Sequence, residues 1–269
     1  MKKLMLCAVC LLVVTFSFAA KVDTVAVFSA RMKKNIKTVV ITPSGYGSAK
    51  ELPVVYLLHG YSDDYSGWLK NAKGVDRLAD QYNMIIVCPD GAYGSWYWDS
   101  PLDSSFQYET FVSSELVKWV DARYKTIKSR NGRAITGLSM GGQGALYLAF
   151  RHQDIFGAAG SMSGGVDIRS FPLNWDMAKR LGTYAENKEV WEDHAVINLV
   201  HLLTPGSLAI SIECGTDDFF YKVNENLHHL LLDRNIPHDY TVRPGGHDWG
   251  YWTNAIQYQL LFMNNYFHK

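Results

Sequence analysis

Apolar residues in this chain come in two kinds of run. Some are short and unbroken, such as Val54-Val55-Tyr56-Leu57-Leu58 and Met84-Ile85-Ile86-Val87-Cys88. Runs of that length without polar alternation suit strands buried on both faces. Others recur at helical spacing, as Phe111, Leu116, Trp119 and Val120 do. The pattern predicts strands over residues 22–32, 35–41, 52–58, 84–88, 133–138, 158–163, 208–214 and 240–243. It predicts helices over 74–82, 108–124, 141–150, 224–234 and 252–267. A turn at Lys33-Lys34 joins the first two strands, and Pro89-Asp90-Gly91 ends the fourth. Residues 164–207 read as irregular, with short helical pieces. Strands alternating with helices imply a mostly parallel sheet with helices on both faces, and the opening pair an antiparallel edge. No linker, repeat or low-complexity stretch divides residues 21–269, which read as one α/β domain.

The first twenty residues follow a different rule. Met1-Lys2-Lys3 is a short positive segment, residues 4–18 are apolar apart from Thr15 and Ser17, and Ala19-Ala20 precede Lys21. This is the layout of a secretory signal peptide, and the stretch is shorter than the roughly 20 residues a spanning helix needs. The reading places the mature protein in the periplasm or outside the cell, with no stable membrane insertion after processing.

The whole chain balances 26 basic against 26 acidic groups. Removing residues 1–20 takes Lys2 and Lys3 and no acid, so the mature chain is slightly acidic. That balance argues against a nucleic-acid partner, which would call for a basic excess. Two of the four cysteines, Cys88 and Cys214, lie beyond residue 20. Two cysteines in a chain of this size are no disulfide framework.

Three motifs carry the chemistry. Gly137-Leu138-Ser139-Met140-Gly141 has the G-x-S-x-G form, with a predicted strand before it and a predicted helix after it. In that setting the serine occupies a strained turn that lifts its hydroxyl clear of the backbone, above a helix N-terminus. Gly215-Thr216-Asp217-Asp218-Phe219 follows a late strand, where Asp217 and Asp218 compete to be an orienting carboxylate. Pro244-Gly245-Gly246-His247-Asp248-Trp249 places His247 in a glycine-made loop after the last strand. Serine, then acid, then histidine is the chain order of α/β-hydrolases. A fourth piece, His59-Gly60-Tyr61, ends the early buried strand. It offers the Tyr61 N–H, with that of Met140, as an oxyanion hole, each donor worth about 3–4 kcal/mol. His59 itself is expected to shape the turn. No HExxH or CxxC pattern occurs, and the adjacent His228 and His229 face different ways on a helix, so neither metal nor cofactor is predicted.

With these motifs the sequence resembles the esterase D / tributyrin-esterase family of α/β-hydrolases, within the group that includes feruloyl and acetylxylan esterases and S-formylglutathione hydrolases. Further stretches carry the resemblance: Ser95-Trp96-Tyr97-Trp98-Asp99-Ser100-Pro101 and Tyr108-Glu109-Thr110-Phe111. It implies an α/β-hydrolase fold with a small insertion, residues 164–207, before the acid-bearing strand. It implies a Ser139–His247–Asp218 triad, favouring Asp218 over Asp217. Its exported members imply acyl or hydroxycinnamoyl esters of plant polysaccharides as substrates, small-molecule or polymeric. S-formylglutathione hydrolases act on a cytosolic thiol conjugate, which the export signal disfavours. An acyltransferase with the same triad, or a non-catalytic carbohydrate-binding relative, would also fit this chain. For substrate contact, Trp96 and Trp98 in the aromatic loop and Trp249 beside His247 are the candidates, with Tyr61 and Trp68 bordering the site; loops at strand C-termini line the cleft in such folds.

Overall fold

The computed structural model describes residues 19–269. The predicted signal segment therefore lies almost wholly outside the described residues. Eight strands form one sheet: β1 (Lys21–Ser29), β2 (Lys34–Thr42), β3 (Val54–Leu58), β4 (Ile85–Pro89), β5 (Arg133–Gly137), β6 (Ala158–Met162), β7 (Ala209–Gly215) and β8 (Asp239–Arg243). Their order is β1-β2-β4-β3-β5-β6-β7-β8. β1 and β2 are antiparallel to each other, and β2 is antiparallel to β4. From β4 to β8 every pairing is parallel. The opening hairpin turns earlier than the sequence suggests. β1 stops at Ser29 because the Met32 N–H bonds back to the Ser29 hydroxyl at 3.1 Å, and Lys33 takes a left-handed φ of 54°.

The unbroken apolar strands feed two cores. Val54, Tyr56 and Leu58 of β3 point to one side, and Val55 and Leu57 to the other. On the first side pack the helices over residues 108–123, Met140–Arg151 and Tyr221–Asp233, together with the insertion between β6 and β7. Helices Val75–Tyr82 and Trp249–Phe267 cover the second side. The last helix starts three residues before its predicted position because Asp248 caps it, accepting the Tyr251 N–H at 3.0 Å. Residues 164–207 hold four short helical pieces, Ile168–Ser170, Met177–Leu181, Lys188–His194 and Val196–Leu202. Cys88 and Cys214 are buried, unpaired and on β4 and β7, with three strands between them. No helix among the described residues is long and apolar enough to cross a membrane.

The parallel strands all end on one edge of the sheet. The residues just beyond β3, β5, β7 and β8 therefore meet there, and those residues are the four motifs.

Candidate active site

Ser139 stands between β5 and its helix at φ 54°, ψ −117°, a conformation a non-glycine residue adopts only under constraint. The constraint comes from neighbouring main chain. A Cβ on Gly137 would lie 2.6 Å from the Gly141 carbonyl oxygen, and one on Gly141 would lie 2.5 Å from that of Leu58. Both positions must therefore be glycine. The Ser139 N–H is tied to the Met162 carbonyl of β6 at 2.9 Å, which fixes the turn from the other side.

The serine hydroxyl lies 2.8 Å from His247 Nε2. His247 Nδ1 lies 2.8 and 3.0 Å from the two carboxylate oxygens of Asp218. A carboxylate there can only accept, so Nδ1 carries the proton and Nε2 is left to accept from Ser139. The Asp218 side chain is fully buried and also accepts the Phe220 N–H at 2.8 Å. Asp217 is exposed and does not reach the histidine; its N–H bonds instead to the Gly245 carbonyl at 2.9 Å. With the Thr216 N–H on the Arg243 carbonyl, also 2.9 Å, this knits the acid loop to the histidine loop. Below them, Glu213 of β7 pairs with Arg243 of β8; burial pushes its carboxyl up to about 7 against the pull of that guanidinium.

The candidate oxyanion donors sit beside this relay. Met140 opens the helix after the serine, so its N–H has no partner within that helix. Gly60 lies against the elbow: a Cβ there would be 3.5 Å from Ser139 Cβ. Neither the Tyr61 nor the Met140 N–H has a partner in the surrounding loops. His59 holds the turn from beneath. Its Nε2 accepts the Gly91 N–H at 2.7 Å, which leaves Nδ1–H to donate to the Gly60 carbonyl at 2.8 Å.

A cavity of about 510 Å³ opens over Ser139 and His247. Its walls are aromatic, with Tyr61, Trp175, Phe219, Trp249 and Trp252, and Asp63 and Asn71 add polar groups. Trp249 is in the wall, braced edge-to-face by Trp68 and Trp252 at 5.2 and 5.5 Å. Trp96 and Trp98 are not. They are buried, stacked on each other at 5.5 Å, and the Trp96 indole N–H is spent on the Trp175 carbonyl at 3.1 Å. Left-handed φ angles of 56° at Trp96 and 59° at Tyr97 turn the loop inward, which corrects the expectation that these tryptophans face substrate. Trp68 is likewise buried, its indole N–H on the Leu58 carbonyl at 3.0 Å. The sequence reading missed Trp175, Phe219 and Trp252. Phe219 follows the acid directly, and its ring centroid lies 4.2 Å from that of His247.

A second cavity, about 770 Å³, lies at the far end of the nucleophile helix, lined by Glu109, Tyr147, Arg151, His152 and His194 among others. It is the larger, but none of its hydroxyls is hydrogen-bonded to a histidine. Among the described residues, no three His, Cys, Asp or Glu side chains converge on a metal-sized site.

The sheet, the elbow and the cleft at the strand ends define an α/β-hydrolase. The chain belongs to the esterase family, whose model matches residues 29–263. An acetyl esterase from Caldicellulosiruptor saccharolyticus is 29% identical over 257 residues, covering 88% of this chain and 96% of that one. A solved ferulic acid esterase is similar at a TM-score of 0.81 and 30% identity, over 93% of this chain and 100% of that one. Ag85B of Mycobacterium leprae, named a diacylglycerol acyltransferase/mycolyltransferase, is 39% identical over 155 residues, 54% of this chain and 45% of that one. The chain is a serine carboxylic ester hydrolase by this membership.

Proposed function

We propose that the protein is an exported esterase that removes acyl or hydroxycinnamoyl groups from plant polysaccharides, using Ser139, His247 and Asp218. The observation that carries the mechanism is the relay of hydrogen bonds from Ser139 through His247 to the buried Asp218. In the reaction the Ser139 oxygen attacks the ester carbonyl while His247 Nε2 takes its proton. The carbonyl oxygen becomes an anion held by the Tyr61 and Met140 N–H groups. His247 then gives the proton to the departing alcohol, leaving the acyl group on Ser139. Water attacks that acyl-enzyme with His247 again as base, and the free acid leaves. Asp218 keeps the imidazole in the useful tautomer and stabilises its cation.

The aromatic walls favour a flat or apolar group beside the scissile bond. The acetyl esterase and ferulic acid esterase likenesses support an acetyl or feruloyl group as the acyl side of the substrate. A second reading is transfer of the acyl group to another alcohol, favoured by the Ag85B likeness. Excluding water, without any change in the triad, would produce it.

The test is turnover of p-nitrophenyl acetate, p-nitrophenyl butyrate and methyl ferulate, with and without an added alcohol acceptor. Preference for ferulate supports a hydroxycinnamoyl substrate. Acetate or butyrate with ferulate ignored supports a small acyl group. An acylated acceptor as the main product overturns the hydrolase reading in favour of a transferase.

A further inference from the structure

The insertion between β6 and β7 reaches the oxyanion loop through one carboxylate. The Tyr61 hydroxyl donates to Asp176 Oδ2 at 3.2 Å, and Lys179 Nζ lies 3.0 Å from Asp176 Oδ1. The Lys179 bond foremost, helped by that of Tyr61, holds the Asp176 carboxyl below its ordinary value. Burial, then the bond to Asp176, pushes the Tyr61 hydroxyl up to about 12. The pair is thus an ionised acceptor facing a protonated donor at neutral pH.

The backbone around this contact is under strain. Trp175 and Asp176 are both left-handed, at φ 51° and 57°. They lie against the other strained pair, Trp96 and Tyr97, through the bond from the Trp96 indole to the Trp175 carbonyl. Two successive bulky residues hold such angles only where their surroundings enforce them, and such places gather at functional sites. Here the strain turns two neighbours to two tasks. Trp175 lies flat against Phe219 in the cavity wall, with centroids 5.6 Å apart, and Asp176 points back to Tyr61.

We propose that Asp176 is a positioning residue for the oxyanion site, an inference that rests on the esterase reading above. Asp176 is not in the cavity wall. It acts through Tyr61, whose N–H must aim at an anion that exists only in the transition state. The peptide that carries the Tyr61 N–H is held at its Gly60 carbonyl by His59 Nδ1–H at 2.8 Å and by the Asp63 N–H at 3.4 Å, and beyond it the loop is held by the Ser62 N–H on the Tyr93 carbonyl at 2.8 Å and by the Tyr61 ring on Tyr93 at 4.9 Å. Those bonds hold the peptide from the Gly60 side, and the Tyr61–Asp176 bond constrains it from the Tyr61 side. The insertion then supplies both a wall of the cleft and the aim of one donor.

The test compares the full-length chain with Asp176→Ala, Asp176→Asn, Tyr61→Phe and the double variant Tyr61→Phe/Asp176→Ala on p-nitrophenyl acetate. Phenylboronic acid, which adds to the serine as a tetrahedral anion, serves as the probe of the hole. Asp176→Ala should lower kcat about five- to tenfold, the worth of one hydrogen bond. KM and the thermal midpoint should hold, and boronate affinity should fall by the same factor as kcat. Asp176→Asn, whose amide oxygen still accepts from Tyr61, should recover part of the loss. The double variant should be no worse than either single one. An unchanged kcat, a loss confined to KM, or additive losses in the double variant would overturn the proposal. A fluorophosphonate label on Ser139 separates the esterase reading from the positioning role. If the unaltered chain takes no label and turns over no ester, the esterase reading fails and this inference with it. Label and turnover with Asp176→Ala fully active sink this inference alone.

Discussion

The nucleophile helix Met140–Arg151 ends in two different places. At its start, Ser139 and His247 face a cleft in which the Tyr61 and Met140 N–H groups find no partner among the described loops. At its finish lies a larger cavity in which Glu109, Tyr147, Arg151 and His152 are spent on one another. Glu109 there accepts from the Tyr147 hydroxyl at 3.0 Å and Arg151 Nε at 2.8 Å, and lies 2.8 Å from His152 Nε2. Burial alone would raise its carboxyl; the His152 and Arg151 bonds outweigh that and hold it at about 2. A group already satisfied stabilises the fold, whereas one left waiting is available to a substrate. Cavity size does not distinguish the two, and the state of the hydrogen bonds does.

The sharpest way to break this contrast is to remove the waiting groups. Ser139→Ala should cost about 10⁴-fold or more in kcat with little change in melting temperature. Asp218→Asn should cost about 10⁴-fold by leaving His247 in the wrong tautomer. The exposed neighbour change Asp217→Asn should stay within about twofold. Steady-state kinetics on p-nitrophenyl acetate reads all three, and a larger loss at Asp217 would transfer the orienting role to it.

The satisfied end should respond in the opposite sense. Glu109→Gln should lower unfolding free energy by about 2–3 kcal/mol, because Arg151 and His152 lose the counter-charge they are bonded to, while turnover per folded molecule holds. The pH dependence follows from the depressed carboxyl. Its contribution is complete above the ordinary value of 4.5 and is lost as pH falls toward about 2. Urea midpoints measured across that window should fall more steeply for the unaltered chain than for Glu109→Gln. The smallest effect should be in the cleft wall, where Phe219→Ala or Trp249→Ala should raise KM about three- to tenfold on an aromatic ester, the worth of one ring contact.

Legibility in the sequence followed how local the physics is. Ser139 was readable because its glycines answer to main-chain contacts that any elbow of this kind must make. The helix at Trp249 was placed late because its start depends on the Asp248 cap and not on the apolar spacing. Trp96 and Trp98 misled because an aromatic run after a strand end suits a cleft. Only the two left-handed angles at Trp96 and Tyr97, invisible in a string of residue types, turn those rings inward. Trp175 gave no signal, since residues 164–207 follow no period and the segment is ordered by what it packs on.

β8 is an edge strand, paired only to β7, with Val242 36% exposed and its other residues half-buried or exposed. His247 hangs four residues beyond it. Edge strands open more easily than the strands at the centre of a sheet. Warming would therefore loosen the base from the serine before the sheet as a whole gives way. Activity should then be lost below the calorimetric midpoint, an order that activity and calorimetry followed over the same temperatures would check.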